Sequence, residues 1–395
     1  MTIKYIDELT IAEKRLFIRV DFNVSFDELG NISDDTRIRA ALPTIRYALG
    51  QKAKVILASH LGRPKGKPNP KYSMKPVGER LAQLLEDVDV LLPEDCVGDA
   101  VKKLAGELLP GQVMLLENLR FHPEEEANDE GFSRQLAALA EVYVDDAFGA
   151  AHRAHASTSG MVQFVPVKGA GFLMRAEIQS LSKLLEKPAR PFVAILGGAK
   201  VSDKLGVIEN LMNICDCLLI GGGMSYTFLS AKGVQIGKSL VEEDKIHTAR
   251  RILERAEARN ISIMLPLDHV VAAACDASAK ALTTDGVSIP DGMMGLDIGP
   301  KTVAEYSTQV LKAKTIFWNG PMGVFELAPF ANGTNKIAIA VAESNSSSVV
   351  GGGDSIAAIN KAGVASRIGH ISTGGGASLE FIEGKKLPGI VALEQ

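Results

Sequence analysis

Short apolar runs alternate with amphipathic stretches along this chain, and no other feature constrains its fold so tightly. Arg15–Phe22, Lys54–His60, Gln112–Leu119 and Val142–Asp146 read as strands, with helices expected at Asp35–Leu49, Lys75–Leu85 and Phe132–Leu139. Strands separated by helices of this length make βαβ units and a mostly parallel sheet. The same grammar restarts at Pro191–Leu196 and continues through Cys217–Ile220, Ser262–Pro266, Thr315–Trp318 and Ser348–Val350. Between the halves, Leu173–Glu186 has a helical pattern free of Gly and Pro, and Pro188 and Pro191 end it. A length of 395 residues exceeds one ordinary core. The expectation is an α/β chain of two doubly wound, Rossmann-like domains with parallel sheets, at 1–172 and 191–372, joined by a hinge helix and linker at 173–190.

Charge and hydropathy narrow the function. A formal net charge of −4 lacks the basic surplus of a nucleic-acid binder. No apolar run approaches the roughly 18 residues that span a bilayer, so no membrane partner is expected. Met1 to Leu16 carries Asp7, Glu8 and Glu13 and has no apolar stretch of the kind a secretory signal needs, which points to the cytoplasm. Cys215 and Cys217 form a lone C-x-C in an apolar run, with no second pair at zinc spacing, and read as buried thiols.

The strands end in two chemically different ways. In the first half they run into cations: Arg19, His60 and Arg120 close strands, Arg37 opens a helix, Arg63 follows His60, and His152 and Arg153 follow Asp145-Asp146-Ala147-Phe148-Gly149. Ligands of open α/β sheets bind beyond the carboxyl ends of strands, and guanidinium groups there suit a small, highly charged anion. In an extended Arg19-Val20-Asp21-Phe22-Asn23, the side chains of Arg19, Asp21 and Asn23 share one side. A surface ion pair between Arg19 and Asp21 is the competing reading. His122, His152, His155 and the run Glu124-Glu125-Glu126 raise the question of a metal, but no second ligand spacing supports one.

In the second half the strands run into glycine, at Gly197-Gly198, Gly221-Gly222-Gly223, Gly351-Gly352-Gly353 and Gly374-Gly375-Gly376. Glycine lets backbone approach a phosphate chain or a flat base. Lys200 and Lys204 lie four apart at an expected helix start, placed either for a polyphosphate or for solvent. Asp354 and Ser355 either cap a helix or stand beside a nucleotide, where Asp354 would meet its Mg²⁺. Gly233-Val234-Gln235-Ile236-Gly237-Lys238-Ser239 is one residue short of a Walker A loop, and no G-x-G-x-x-G follows a glycine-ended strand. The missing fingerprint counts against the rival reading, an NAD-type oxidoreductase.

These residues resemble those of the phosphoglycerate kinase family, in ordered blocks that span the chain. The blocks are Arg19-Val20-Asp21-Phe22-Asn23-Val24, Ser59-His60-Leu61-Gly62-Arg63-Pro64, Glu117-Asn118-Leu119-Arg120-Phe121, Asp146-Ala147-Phe148-Gly149, His152-Arg153-Ala154-His155, Gly197-Gly198-Ala199-Lys200-Val201, Trp318-Asn319-Gly320-Pro321 and the two late glycine triplets. One departure stands out: Ser25 occupies the place of a family proline.

The resemblance implies transfer of a phosphoryl group between 1,3-bisphosphoglycerate and ADP, with Mg²⁺ accompanying ATP or ADP. It implies a monomer acting on small molecules, with residues 373–395 returning to the first domain. Phosphoglycerate would be held by Asp21, Phe22, Asn23, Arg37, His60, Leu61, Gly62, Arg63, Arg120, His152 and Arg153. Gly198, Ala199, Gly222, Gly223, Gly295, Leu296, Asn319, Pro321, Val324 and Glu326 would form the adenosine pocket. Lys204, Gly352, Gly353, Asp354 and Ser355 would hold the phosphates, with Asp354 on Mg²⁺. Lys200 and Arg37 would contact the phosphoryl group in transfer, helped by the helix N-termini at Gly353 and Gly376. A carboxylate nucleophile is already ionised at pH 7, so this chemistry needs no general base.

Overall fold

A computed structural model describes residues 3–86 and 88–394. The chain forms two compact units, Met1–Gln179 with Lys386–Gln395, and Ser180–Lys385.

The first unit is built on six parallel strands: β1 (Arg15–Arg19), β2 (Lys54–Ala58), β3 (Val90–Leu91), β4 (Val113–Leu115), β5 (Val142–Asp145) and β6 (Val167–Ala170). Their order is β3-β4-β2-β1-β5-β6. The central strands are apolar on both faces because helices cover both, which is why they read as continuous hydrophobic runs. Leu16, Ile18, Val55 and Leu57 pack with Ile38 and Ile45 of helix α1 (Thr36–Gly50) and Val77 and Leu81 of α2 (Lys75–Leu85). The strand direction reverses its winding at β1, and the crevice between β1 and β5 is where such sheets place ligands.

The second unit repeats the plan with β7 (Phe192–Leu196), β8 (Cys217–Ile220), β9 (Ser262–Met264), β13 (Thr315–Asn319), β14 (Ser347–Gly351) and β15 (His370–Ser372). The order is β9-β8-β7-β13-β14-β15, with the reversal at β7. A small antiparallel sheet, β10 (His269–Ala272) between β11 (Leu282–Thr283) and β12 (Met294–Ile298), is inserted before β13. Trp318 is fully buried in the core, its indole N–H donating to Gly320 O at 2.8 Å.

The expected elements are present; several strands are shorter than the apolar runs suggest, whereas Thr315–Asn319 and Ser347–Gly351 run one or two residues longer. The run Arg15–Phe22 leaves the ladder after Arg19, although Val20 N still donates to Ala58 O at 3.0 Å. The expected strand Gln112–Leu119 shrinks to Val113–Leu115, since Asn118 starts a 3₁₀ turn there. Asp35 lies outside α1, its carboxylate held by Arg39 at 2.8 Å and Arg80 at 2.7 Å. After the first signature the chain forms a short hairpin, Ser25–Phe26 with Ile32–Asp34, in which Ser25 pairs with Asp34.

The boundary between the units falls inside helix α3 (Phe172–Glu186). Helix α6 (Gly376–Ile382) belongs to the second unit, and the return to the first begins at Lys386. There Gly389 N donates to Ala151 O at 2.9 Å.

Asp145, at the end of β5, is fully buried, and burial pushes its carboxyl up to about 7. The folded chain therefore keeps a proton that the unfolded chain has released by about pH 4, so this group lowers stability as pH rises from 4 to 7. Asp145→Asn should gain stability relative to the parent over that window, with a slope of up to about 1.4 kcal/mol per pH unit. Urea unfolding at pH 5, 6 and 7 measures it, and parallel curves for the two proteins would contradict the assignment.

Candidate functional site

In the first unit, loops after β1, β2, β4 and β5 meet at the crevice. Asp21 Oδ2 accepts from Arg37 Nη1 at 2.8 Å, tying the end of β1 to the start of α1. Asn23 Oδ1 accepts from Gly62 N at 2.8 Å, and Phe22 N donates to Ser59 Oγ at 2.8 Å, so the loops after β1 and β2 hold each other. Arg120 Nη1 donates to Gly62 O at 2.8 Å, while its Nε lies 3.2 Å from Glu126. Arg153 Nε donates to His152 Nε2 at 3.2 Å. His60 is 6% exposed. Burial first, then the charges of Arg19, Arg120, Arg153 and Arg37, hold its imidazole well below the usual histidine range. His155, burdened the same way, falls to about 3.

These four guanidinium groups thus share one field. Among the described residues, Asp21 and Glu126 pair with Arg37 and Arg120 at its rim and the buried Glu125 lies behind them, and such a surplus of donors favours a multiply charged anion. Arg63 stands exposed, directly after Gly62. Arg19 corrects the sequence reading. The strand stops at Arg19, so its side chain does not join Asp21 and Asn23 on one exposed side, and Arg37 takes Asp21 instead. Arg19 is fully buried and bonded to Ser157, His60 and the Val20 carbonyl. Sequence reasoning also missed Ser157 and weighed Glu125 only within an acidic run; both lie far along the chain from Arg19.

Of the histidines weighed as metal ligands, His122 pairs with Asp95 at 2.7 Å, beside Cys96. Burial pushes the Cys96 thiol well up, and a protonated thiol is a poor ligand. His152 and His155 sit instead among the arginines.

In the second unit, backbone builds the site. The loops after β7, β8 and β13 cross closely: Gly198 N donates to Pro321 O at 3.0 Å and Gly222 N to Met322 O at 2.9 Å. Gly222 has φ +65°, and a Cβ there would lie 2.6 Å from Gly198 N, so no other residue fits the crossing. Beside it lies a cavity of about 450 Å³. Ten expected residues line it: Gly198, Ala199, Gly222, Gly223, Gly295, Leu296, Pro321, Val324, Glu326 and Asp354. Tyr226, Leu240 and Met294 complete its apolar walls, and Lys238 and Cys275 also reach it. Cysteines 215 and 217 are buried and free; Cys275 is free and exposed.

The phosphate-binding candidates divide. Lys200 is exposed. Lys204 ends a 3₁₀ turn before helix α4 (Leu205–Leu211), and its side chain turns inward onto the Asn319 side-chain oxygen. The two lysines therefore do not stack on one helix face. Burial lowers Lys204 to about 8, against the pull of Asp203 and Asp354. Asn319 and Ser355 are buried; Ser355 Oγ accepts from Gly320 N at 2.6 Å and Asn319 Nδ2 donates to Gly351 O at 2.8 Å. Gly352, at φ +91°, opens helix α5 (Gly353–Lys361), in whose first turn Asp354 lies exposed. The failed Walker stretch is no strand-to-helix loop: Ile236 bridges to Ile289 there.

The phosphoglycerate kinase family model matches residues 6–385. Phosphoglycerate kinases from Anaeromyxobacter sp. (strain Fw109-5) and Koribacter versatilis (strain Ellin345) are 59% and 58% identical, over 100% and 98% of both chains. The solved phosphoglycerate kinase from Coxiella burnetii superposes with a TM-score of 0.90 at 41% identity over 99% of each chain. That from Pyrococcus horikoshii OT3 gives 0.85 at 34% identity over 98% of each. Fold and sites thus define an α/β phosphotransferase on two parallel sheets. The chain belongs to the phosphoglycerate kinase family, with its kinase role in glycolysis. No helix among the described residues is long and apolar enough to cross a membrane.

Because Lys204 loses its proton near pH 8, a phosphate ligand that needs its charge should bind more weakly above that value. The association constant for ADP should fall by up to about tenfold per pH unit between pH 8 and 9.5. Lys204→Arg should flatten the decline. Calorimetric titration measures both, and a constant affinity in the parent protein would refute the role.

Proposed function

We propose that the chain transfers a phosphoryl group reversibly between 1,3-bisphosphoglycerate and ADP, giving 3-phosphoglycerate and ATP. The observation that carries this reading is the guanidinium cluster around His60, which suits a phosphorylated acid rather than a base or a dinucleotide. Asp21 and Asn23 accept from the ligand hydroxyl, and His60, Arg37, Arg63, Arg120, His152 and Arg153 take its charge. Phe22, Leu61 and Gly62 shape the loops around it. The glycine-walled cavity takes the adenosine, and Lys204 with Gly352 to Ser355 meets the phosphates.

Asp354 is exposed, lines the cavity and offers one carboxylate, which fits a Mg²⁺ that arrives with nucleotide phosphates. When bound, that ion neutralises phosphate charge. The remaining work falls to positioning and preorganised charge, as expected for a planar phosphoryl group in transfer. Arg37 and Lys200 contact that group, with backbone N–H groups at Gly353 and Gly376 directed toward it. The acceptor carboxylate is ionised, so no side chain has to remove a proton. Hinge closure about residues 173–190 brings donor and acceptor together, in a monomeric cytoplasmic enzyme.

Lys200→Ala should lower turnover roughly 10²–10³-fold in a coupled assay with ATP, Mg²⁺ and 3-phosphoglycerate, the scale for losing one preorganised donor. Near-normal turnover would remove Lys200 from the mechanism. Arg120→Ala should chiefly raise the KM for 3-phosphoglycerate and leave that for ATP alone. Small-angle scattering should show compaction when both substrates are present, and none would count against closure.

A further inference from the structure

The deepest cation of the first unit has no place in the roles above. Arg19 ends β1 with no exposed surface, although a buried charge is costly unless every donor finds a partner. Its Nε donates to Ser157 Oγ at 2.8 Å, its Nη1 to the Val20 carbonyl, and its Nη2 meets His60 Nδ1 at 3.0 Å. Ser157 Oγ passes a hydrogen bond on to Glu125 Oε1 at 2.6 Å, and Ser157 N donates to Glu125 Oε2 at 2.9 Å. Glu125 is also fully buried, in the short helix Pro123–Ala127, and Tyr143 OH pins the Ser157 carbonyl at 2.9 Å.

The direction of each bond follows from the groups themselves. A guanidinium has donors and no acceptor, so His60 Nδ1 must accept. A ring nitrogen that accepts carries no proton, which leaves the His60 proton on Nε2. The hydroxyl of Ser157 accepts from Arg19 and therefore spends its own hydrogen on Glu125. One cation, one hydroxyl and one carboxylate thus form a chain that runs from Arg19 through Ser157 to Glu125. The charges of Arg37, Arg120 and Arg153 face the same imidazole and oppose a second ring proton.

We propose that Arg19, held by Ser157 and Glu125, is a positioning residue that fixes His60 as the neutral Nε2–H tautomer, so that His60 presents a hydrogen-bond donor to the anionic substrate. Arg19 itself touches no substrate. The idea rests on the proposed phosphoglycerate site for its kinetic consequence, whereas the tautomer is a property of the free protein. The alternative tautomer would present a lone pair to an anion, which repels it.

Long-range ¹H–¹⁵N correlation of the histidine rings in the whole, ligand-free protein tests the first half. The His60 Nε2 should resonate as protonated and Nδ1 as an acceptor, unchanged from pH 6 to 8. A proton on Nδ1, or a mixture of tautomers, overturns the proposal whatever the enzyme's substrate. Arg19→Lys and Ser157→Ala test the second half. Each should loosen the tautomer preference and raise the KM for 3-phosphoglycerate, with kcat within about threefold and the KM for ATP unchanged. For Arg19→Lys the rise should be roughly ten- to a hundredfold, the range for one hydrogen bond to a charged group. An unchanged KM in both variants, or an equal rise in the KM for ATP, overturns it. Failure of the parent protein to turn over 3-phosphoglycerate would sink the functional reading and leave the ring assignment standing.

Discussion

A guanidinium sealed from water organises the first unit. Arg19 sits where the winding of the sheet reverses, and the structure meets the demand of its buried charge with three different acceptors. Those acceptors come from the next residue, from the loop after β2 and from the segment after β5. The charge therefore fixes the loops that build the site as well as the imidazole inside it. The outer arginines complete the arrangement: Arg37 is held by Asp21, and Arg120 by Gly62 and Glu126. Their charge exceeds what nearby carboxylates cancel, and a polyanion is the natural complement.

The second unit builds its candidate site by the opposite route. There the backbone does the holding, because glycines let three loops pass within hydrogen-bond distance of one another. Lys204 is drawn inside, and its lowered proton affinity follows from the burial. The apolar walls supplied by Tyr226, Leu240, Leu296 and Val324 suit a flat ring. The proposed ligands, a small charged acid and a large, partly apolar nucleotide, call for different materials, and the two units offer them.

Much of this was legible in the sequence. Apolar runs spaced by amphipathic helices gave the parallel sheets, because period and length are local properties of the chain. Lys75–Leu85 and Cys217–Ile220 fall where the pattern puts them. Most strand ends were overrun, since apolar residues such as Val20 and Phe22 continue to bury after the ladder has stopped. The antiparallel insertion β10 to β12 was illegible because its strands are short and His269 is buried within it. The glycines that line the cavity and the cations around His60 could be found from their positions at strand ends. Arg19 was misread as sharing one side with Asp21 and Asn23 because its burial depends on Ser157 and Glu125, remote in sequence. The stacking of Lys200 on Lys204 was misread because a 3₁₀ turn, rather than an α-helical one, sets the direction of Lys204. Tyr226, Leu240 and Met294 carry no local signal at all; only the folded chain brings them to the cavity.

The central claim is that each unit holds a different ligand by a different chemistry. Amide chemical-shift mapping with each ligand added alone tests it most directly. 3-Phosphoglycerate should move the amides of Asn23, Gly62, Arg120 and Arg153, and ADP those of Gly198, Gly222, Gly295 and Val324. Perturbation of the same set by both ligands, or of the glycine loops by 3-phosphoglycerate, would contradict it.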